Sequence, residues 1–456
     1  MEQHIPGIVL KDGLTQPVFD YKRCLFEKVY VETPVDTDGD GRLDLIAVYI
    51  RRPLETTQGM RVPAIYVANP YMLECNEDWY VPHDVDRDVS PYPQQHITES
   101  DITFDPSTVS FPQPRYPRAT VGYADTAPTE EIPLDCISDW YSYFNSRGYA
   151  SVFCGGLGTR GSQGFNCCGS PEETAAFKAV IDWLNGRCRA FTNLTDNIEI
   201  RADWCTGKVA MSGKSYLGTM CIAVASTGVE GLETIIPEAA ISNWYDYYRC
   251  NGLNLPAIGW QGDDLDILAK YCFSRAKDPE DYASVREAYA AWLEGIAADE
   301  DRDSGNYSRW WDMRNYLKAA DRFKASVFLV HGLADWNVKP THCVNLFAAM
   351  ECRGIPCKMM LHQGGHIYIH DLQGSRFNEM LHLWLDHWLY GIENGAAERI
   401  PNVLVQSNLD QDLWLASPSF PAVKGYTEPV LMPAQESGRL VDDLSATVYD
   451  RTRDNA

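Results

Sequence analysis

The chain has 456 residues and a formal net charge of −24 at pH 7, which excludes some classes of function. Nucleic acids and anionic membranes bind basic surfaces, so neither is expected as a partner. The 14 cysteines include no Cys-x-x-Cys pair and no compact group with histidine at zinc spacing, so neither a disulfide framework nor a structural metal site is expected. Residues 1–6 lack the features of a signal peptide and no apolar run reaches membrane-spanning length, which predicts a cytoplasmic protein.

An antiparallel hairpin is predicted near the N-terminus, from strands at residues 25–33 and 43–50. The segment between them, Asp36 to Gly41, begins like a calcium-binding loop. The twelfth position of that loop is Ala47, where calcium loops carry a bidentate glutamate. A tight turn rich in Asp and Gly explains the same residues and is the favoured interpretation.

A strand at residues 63–68 is followed by a long segment, 72–133, that is rich in proline, aromatic and acidic residues and has no clear hydrophobic period. Such a segment predicts an ordered loop or lid over a site, not a core element. A second irregular segment, the glycine-rich stretch 155–164, could suggest a phosphate-binding loop. It lacks the lysine of that motif, so a close-packed loop is the favoured interpretation.

Strands and helices alternate through much of the remaining chain, which predicts an α/β fold with a mostly parallel sheet covered on both faces. Expected strands lie at 149–154, from 208 onward, and at 234–236, 325–331, 358–362 and 403–406; expected helices lie at 136–147, 172–185, 216–226, 339–351 and 375–390. Residues 243–323 interrupt this pattern, because they are helical in spacing, crowded with aromatic residues and contain nothing that resembles a strand. An insertion of this kind is a cap that shapes a substrate pocket.

The predicted organisation therefore has four parts. A first core part covers 1–236 and includes the lid-like loop, a helical cap covers 237–323, and a second core part covers 324–400. Residues 401–456 are expected to begin an incomplete C-terminal β-sandwich-like region.

Ser215 marks the centre of this organisation, because it stands where a buried strand turns sharply into a helix. A serine at such an elbow is exposed above the sheet edge and is followed by backbone N–H groups that point at its target, which is the geometry of a nucleophile. Gly218 comes one residue later than in the common Gly-x-Ser-x-Gly signature. A helix N-cap serine is the alternative interpretation of the same residue.

A serine nucleophile needs a base and an acid behind that base. Asp335 and His366 follow the next two buried strands, in the order nucleophile, acid, histidine, and Gly364 and Gly365 leave room for the histidine to approach another loop. Competing residues lie at strand ends or nearer the next helix, and they are His331, His362, His370 and Asp371.

Four segments of the chain resemble the Xaa-Pro dipeptidyl-peptidases, a serine peptidase family related to bacterial cocaine esterase. They are residues 213–218 (GKSYLG), 237–249 (PEAAISNWYDYYR), 331–338 (HGLADWNV) and 365–368 (GHIY), and the resemblance extends from about Tyr21 to Leu415. It implies an α/β-hydrolase fold and a triad of Ser215, Asp335 and His366 that needs no metal or organic cofactor.

The resemblance also implies roles for residues outside the triad. The implied oxyanion hole is the Tyr71 hydroxyl with the Tyr216 backbone N–H, the implied proline pocket is Trp244, Tyr248 and Val338, and the implied holders of the substrate amino terminus are Asp263 and Asn337. The family commonly has glutamate at the place of Asp263, so Asp264 stays an alternative. Aromatic walls suit the flat apolar ring of proline, and a buried ammonium requires a carboxylate.

The resulting hypothesis is a serine exopeptidase that releases N-terminal Xaa-Pro dipeptides, with peptides that carry proline at the second position as partners. An esterase or α-amino-acid ester hydrolase of the cocaine-esterase type is the alternative, and a non-catalytic binding module is a third. Some members of the family carry an additional N-terminal helical domain and a C-terminal β-sandwich. The chain is therefore expected to be a short natural form or a fragment, and a homodimer stays open.

Overall fold

The strands and helices of the protein follow the predicted alternation in a computed structural model that describes residues 6–77, 80–86, 96–130, 139–256, 261–372 and 374–420. The strands are β1 (Leu10–Lys11), β2 (Leu14–Thr15), β3 (Leu25–Glu32), β4 (Leu45–Arg52), β5 (Val62–Ala68), β6 (Gly122–Ala124), β7 (Ala150–Cys154), β8 (Ala190–Phe191), β9 (Ile198–Ile200), β10 (Cys205–Lys214), β11 (Leu232–Glu238), β12 (Arg249–Cys250), β13 (Leu253–Asn254), β14 (Ser326–Gly332), β15 (Cys357–His362), β16 (Val403–Gln406) and β17 (Trp414–Ser417).

The helices vary from single turns to a helix of 21 residues. They are α1 (Glu99–Ile102), α2 (Asp139–Asn145), α3 (Pro171–Leu184), α4 (Tyr216–Ala225), α5 (Trp244–Tyr248), α6 (Leu265–Cys272), α7 (Pro279–Asp299), α8 (Arg309–Asp312), α9 (Thr341–Glu351), α10 (Phe377–Tyr390) and α11 (Ala396–Arg399). Short 3₁₀ helices cover Tyr21–Arg23, Leu54–Gln58, Pro106–Thr108, Ser274–Lys277, Tyr316–Arg322 and Ile369–Asp371.

One sheet of 13 strands organises the fold, in the order β17-β16-β15-β14-β11-β10-β5-β7-β4-β3-β8-β9-β6. The seven strands from β16 to β7 in this order are all parallel to one another. The N-terminal hairpin of β3 and β4 joins this parallel block through an antiparallel pairing of β4 with β7, and the predicted hairpin is thereby confirmed. The mostly parallel sheet confirms the predicted α/β class.

Helices cover both faces of this sheet. Successive side chains of a strand point to opposite faces, so the contacts of neighbouring residues show which helix lies on which face. Ile65 and Val67 of β5 belong to the same apolar cluster as Trp384 of α10. Tyr66, between them, donates its hydroxyl to the Phe177 carbonyl of α3 at 3.2 Å, so α3 lies on the opposite face. The strands can therefore be apolar along their whole length, and β4, β5 and β14 are buried at every residue.

The cap lies between β11 and β14 and contains α5, α6, α7 and α8. The prediction that nothing there forms a strand was wrong, because β12 and β13 pair as a short antiparallel hairpin. Asn251 and Gly252 connect these strands with φ angles of 52° and 83°. An Asn-Gly pair readily adopts the left-handed conformations of a two-residue hairpin turn.

Two segments differ from the prediction: the loop at 72–133 contains regular elements, and the expected start of a separate C-terminal β region joins the central sheet. The predicted loop contains α1 and also β6, which pairs with β9 at the edge of the sheet. Near the C-terminus, β16 pairs with β15 and β17 pairs with β16, so residues 403–417 extend the central sheet. Residues up to Ser419 form one unit, whereas residues 421–456 of the predicted C-terminal β region lie outside the described residues. Among the described helices, none combines the length and the apolar character needed to cross a membrane.

Candidate active site

The three predicted triad residues follow three strands that run in the same direction. Ser215 comes directly after β10, Asp335 follows β14 and His366 follows β15. These strands are neighbours in the order β15-β14-β11-β10 and all are parallel. Their carboxyl ends therefore lie at one edge of the sheet, where α/β folds place their sites.

Ser215 occupies a strained elbow. Its backbone has φ 62° and ψ −128°, a conformation that L-residues rarely adopt. Two glycines make the turn sterically feasible: a Cβ on Gly213 would lie 2.5 Å from the Leu217 Cβ, and a Cβ on Gly218 would lie 2.6 Å from the Gly213 carbonyl oxygen. The late glycine that departs from the common signature is thus required by the close approach of strand and helix.

His366 and Asp335 are brought together by the structure. His366 Nδ1 lies 2.8 Å from Asp335 Oδ2, and the other oxygen of Asp335 accepts the backbone N–H groups of Asn337 (3.0 Å) and Val338 (2.9 Å). Asp335 is buried, so an N–H donated by His366 fixes the ring with Nε2 as the acceptor. Lys214 Nζ donates to the His366 carbonyl at 3.2 Å and supports the loop.

Ser215 and His366 are not hydrogen-bonded to each other. Within the described residues, Ser215 Oγ makes no hydrogen bond to His366, although both residues follow parallel strands of the same sheet, with β11 and β14 between those strands. Catalytic hydrogen bonds in substrate-free enzymes are often long and shorten only in the substrate complex.

The competing histidines have packing roles. His331 Nε2 donates to the Val338 carbonyl at 2.7 Å, so this nitrogen carries a proton and cannot accept one from a serine. His362 Nδ1 accepts the Gly364 N–H at 3.1 Å, and burial lowers the pKa of His362 to about 4. His370 stacks on Tyr368 at a ring distance of 4.9 Å. The side chain of Asp371 lies outside the described residues.

Tyr71 and Tyr216 meet beside the elbow. Tyr71 follows β5, the strand next to β10, and its ring contacts the Tyr216 ring edge-on at 5.8 Å. Burial raises the pKa of the Tyr71 hydroxyl well above its ordinary value, so the group stays protonated as a hydrogen-bond donor. The Tyr216 backbone N–H is the first of helix α4, and the first N–H groups of a helix have no partner within it.

Aromatic residues of α5 pack against the same elbow. The Trp244 ring contacts the Tyr216 ring at 5.0 Å and stacks over the Tyr248 ring at 6.4 Å with an interplanar angle of 19°. The Trp244 indole N–H donates to the Tyr316 hydroxyl at 3.0 Å, which fixes its orientation. Gly169 has to be glycine here, because a Cβ would lie 2.2 Å from Trp244 Nε1. Val338, which was predicted to line the proline pocket, is fully buried in the loop that carries Asp335.

The structure separates the two acidic candidates for the substrate amine. Both oxygens of Asp264 are occupied, by Arg249 at 2.9 Å and Arg302 at 2.6 Å. Asp263 is 7% exposed, and its Oδ1 accepts no hydrogen bond from the described residues. Burial raises the pKa of Asp263 to about 7, against a hydrogen bond from Tyr80 that lowers it. Of the two acids, Asp263 alone has a carboxylate oxygen that accepts no hydrogen bond from the described residues.

Asn337 is placed between cap and acid loop. Its side-chain oxygen accepts a hydrogen bond from the Tyr247 hydroxyl at 2.7 Å. An amide oxygen has two lone pairs, so this bond leaves a second acceptor site.

Two buried carboxylates that support the site escaped the sequence analysis. Glu173 of α3 accepts the Tyr216 hydroxyl at 2.8 Å on both oxygens and also accepts the Gly169 N–H, and burial raises its pKa to about 7. Glu238 ends β11 and accepts the Ile369 N–H at 2.8 Å, next to the histidine loop. The signal available in the sequence was a glutamate at a position that the hydrophobic pattern of its helix or strand predicts to be buried, since a buried carboxylate needs specific hydrogen-bond donors.

The calcium-like segment forms the predicted turn. Asp36, Asp38 and Asp40 lie within reach of one cation, but Asp36 accepts the N–H groups of Gly39 and Gly41 at 2.9 Å each. Asp38 is paired with Arg275 at 2.9 Å. These contacts are those of an Asx-type turn, and they occupy the oxygens that calcium would need.

Comparison with known proteins places this geometry in a family. A profile described as "X-Pro dipeptidyl-peptidase (S15 family)" matches residues 38–368. The Xaa-Pro dipeptidyl-peptidase of Pediococcus pentosaceus is 44% identical over 405 residues, which are 88% of this chain and 49% of the relative. That of Lactiplantibacillus plantarum is 45% identical over 406 residues, again 88% of this chain and 49% of the relative. The chain thus spans about half the length of the curated relatives it matches.

Solved structures share the fold. An aminopeptidase from a marine sediment archaeon, Thaumarchaeota archaeon, aligns over 92% of this chain and 62% of its own, with a TM-score of 0.51 and 14% identity. A CocE/NonD family hydrolase from Staphylococcus aureus aligns over 89% of this chain and 63% of its own, with a TM-score of 0.51 and 14% identity. These two likenesses concern the fold alone, and they agree with the expected α/β-hydrolase architecture. The sequence match over residues 38–368 shows that the chain belongs to the X-Pro dipeptidyl-peptidase family of serine peptidases, S15.

Proposed function

We propose that the chain carries the catalytic site of a serine exopeptidase that releases N-terminal Xaa-Pro dipeptides from peptides. The observation that carries the proposal is the 2.8 Å contact between His366 and a buried Asp335, at the sheet edge where Ser215 stands on its elbow. A histidine oriented in this way by a carboxylate is the base that a serine nucleophile requires.

In the proposed reaction, Ser215 Oγ attacks the carbonyl carbon of the proline at the second position of the substrate. His366 Nε2 accepts the serine proton, and the buried Asp335 stabilises the resulting imidazolium. The Tyr71 hydroxyl and the Tyr216 N–H donate to the oxyanion, each contributing roughly 3 kcal/mol as in comparable sites. His366 then returns its proton to the leaving amine, and water hydrolyses the acyl-enzyme and releases the dipeptide. No step requires a metal or an organic cofactor.

Selectivity would come from the cap. The stacked rings of Trp244 and Tyr248, with Val338, suit the flat apolar ring of a proline. The ammonium of the substrate would bind Asp263 Oδ1, the buried oxygen that has no donor among the described residues, with the second acceptor site of Asn337. A carboxylate that binds the substrate ammonium restricts cleavage to the N-terminal end of a chain, because an internal residue has no ammonium to offer.

We also propose that the protein works in the cytoplasm. Every cysteine in the described part of the chain is a free thiol, as expected for a reducing compartment. Cell fractionation that recovers the activity outside the cytoplasm would contradict this proposal.

The catalytic proposal is tested by Ser215→Ala with Gly-Pro-p-nitroanilide as substrate. Loss of the nucleophile is expected to reduce kcat by about four orders of magnitude or more. Ser212→Ala is the matched control, because it removes a hydroxyl from the same strand at a buried position. Turnover of Ser215→Ala within tenfold of the Ser212→Ala value would refute the role of Ser215.

The alternative reaction, ester hydrolysis, uses the same three catalytic residues, so a second assay is needed. Rates are measured side by side on Ala-Pro-p-nitroanilide, on N-acetyl-Ala-Pro-p-nitroanilide and on a simple ester reporter. A dipeptidyl-peptidase loses most of its activity when the amine is acetylated, whereas an esterase does not. A protein that turns over none of the three, and whose Ser215 is not labelled by a fluorophosphonate, would be a binding module.

A further inference from the structure

A second group of ligating side chains lies where the loop before the cap meets α6 and the end of α7. His83 Nε2 lies 3.0 and 3.1 Å from the two oxygens of Asp266 and 3.9 Å from Glu300 Oε1. One donor atom from each of the three residues can be chosen so that all lie within 4.8 Å of one another. The three residues belong to separate segments: the loop before the cap, the first turn of α6 and the C-terminal end of α7.

Glu300 is the residue that points to a missing ligand. It is fully buried, and its Oε2 accepts the Asp266 backbone N–H at 3.2 Å. Its Oε1 accepts no hydrogen bond from any residue that the structure describes. Buried carboxylate oxygens are almost always satisfied, so an oxygen held in place but unpartnered indicates a group that binds there.

The charge around these residues is not balanced by the protein. Asp264, Asp266 and Glu300 place three carboxylates together, and Arg249 and Arg302 both bind Asp264. Asp266 lies 3.0 Å from His83, whereas Glu300 lies 3.9 Å from the same imidazole and near Arg249, which donates to its backbone carbonyl at 3.1 Å. Because buried charges are costly unless they are paired, this corner of the cap favours a cation over a neutral ligand.

The spacing fits a small tetrahedral ion. Zinc–ligand bonds of about 2.1 Å at tetrahedral angles place the donor atoms about 3.4 Å apart, between the observed 3.0 and 3.9 Å. Imidazole nitrogens and carboxylate oxygens both bind zinc, and the imidazole favours zinc over magnesium or calcium. A cavity of about 240 Å³ borders His83 and Glu300 and can supply a water molecule as the fourth ligand.

We infer that His83, Asp266 and Glu300 bind one Zn²⁺ ion that links the loop before the cap to α6 and α7. None of the three ligands belongs to the proposed triad. The ion stabilises the cap, because it joins three separate segments through one centre. The Asp266 N–H bond to Glu300 serves as the outer contact that orients a ligand.

The test uses the full chain, stripped of metal with a chelator and titrated with ZnCl₂ by calorimetry, with bound zinc also counted by elemental analysis after desalting. The wild-type protein is expected to bind one Zn²⁺ per chain and to show a higher Tm with zinc than with chelator. His83→Ala and Glu300→Gln are expected to weaken binding about 100-fold and to lose the Tm difference.

Matched controls separate this site from adventitious zinc binding. His96→Ala and Glu287→Gln remove an exposed histidine and an exposed acid, the latter on α7 itself, and both should bind zinc like the wild type. Glu300→Gln keeps the shape of the side chain, so it remains informative if His83→Ala does not fold. Absence of stoichiometric binding, or binding that survives both site variants, would overturn the inference. Tight binding of Ca²⁺ in preference to Zn²⁺ would overturn the assignment of the ion, since calcium requires six to eight oxygen ligands.

Discussion

Replacement of Asp263 by asparagine tests how the site selects its substrate. The side chain keeps its size and still contains an oxygen, so packing in the cap changes little. What it loses is the negative charge of an oxygen that has no donor in the described structure and that is proposed to hold the substrate ammonium. A loss limited to substrates with a free amine is therefore the expected signature.

The expected magnitude follows from burial. Asp263 is 7% exposed, so an ammonium bound to it is largely removed from water. Loss of one partner from a buried, hydrogen-bonded charge pair costs about 3 kcal/mol, which is a factor of about 100 in kcat/KM. The assay is kcat/KM at pH 7.5 on Ala-Pro-p-nitroanilide and on a simple ester without an amine. The ester has no amine to contact Asp263, so its rate should change less than about threefold, which corresponds to less than about 1 kcal/mol.

Two comparisons make the result decisive. Asp246→Asn makes the same change of charge on α5, at an exposed residue whose carboxylate accepts from Asn243, and it should leave both substrates unaffected. Equal losses on the amine and ester substrates of Asp263→Asn would show that Asp263 supports the fold of the cap. Unchanged rates on both would show that the ammonium is bound elsewhere.

Three further outcomes are expected. First, the ratio of kcat/KM between wild type and Asp263→Asn should rise with pH through about 7 and fall above about 8. The rise is expected because burial, together with Asp264 and Asp266, raises the pKa of Asp263 to about 7, against Tyr80 and Arg302, which lower it. The fall is expected because peptide α-amines lose their proton near 7.7–8.0. A flat ratio between pH 5.5 and 7.5 would contradict this assignment. Second, Gly213→Ala should lower the free energy of unfolding by at least about 2 kcal/mol, because the new Cβ would lie 2.5 Å from the Leu217 Cβ. Gly295→Ala, in open space within α7, should raise it by roughly 0.5–1 kcal/mol. Both values are measured by denaturant titration. Equal stabilities of the two variants would refute the steric argument. Third, Glu173→Ala should destabilise by about 3 kcal/mol, because it leaves the Tyr216 hydroxyl and the Gly169 N–H without their acceptor, and Glu172→Ala on the same turn should not; similar denaturation midpoints would refute it.

The framework of the fold was predictable because its signals are local and repeated. Buried strands that alternate with amphipathic helices indicate a parallel sheet, and parallel strands bring residues that follow them to one edge. Ser215, Asp335 and His366 could thus be selected from position alone, with the glycines before His366 separating it from its competitors. The hairpin at Asn251 and Gly252 was also encoded locally, but the aromatic, helical spacing around it outweighed a signal of two residues.

The choice between Asp263 and Asp264 could not be made from sequence. Both are adjacent acids at the start of one helix, and they differ only in what folds against them. Arg249 and Arg302, which lie 15 and 38 residues from Asp264, reach its two oxygens, whereas one oxygen of Asp263 has no donor among the described residues. Glu173 escaped prediction for the same reason, since its acceptor role depends on Tyr216, 43 residues away. Long-range pairing of polar groups leaves no periodic trace in the chain.

The predicted cap and the proposed triad are joined through residues that contact both. Trp244 packs its ring on Tyr216 of the elbow, and Tyr247 donates to Asn337, whose own N–H holds the carboxylate of Asp335. A substitution of Tyr247 would therefore disturb the acid loop as well as the pocket. Asp263 differs from these residues because its Oδ1 accepts no hydrogen bond from the described residues and holds no other part of the site. A change of the proposed substrate preference, from peptides with a free amine to esters without one, would thus meet the least structural resistance at Asp263 and the most at the aromatic residues of α5.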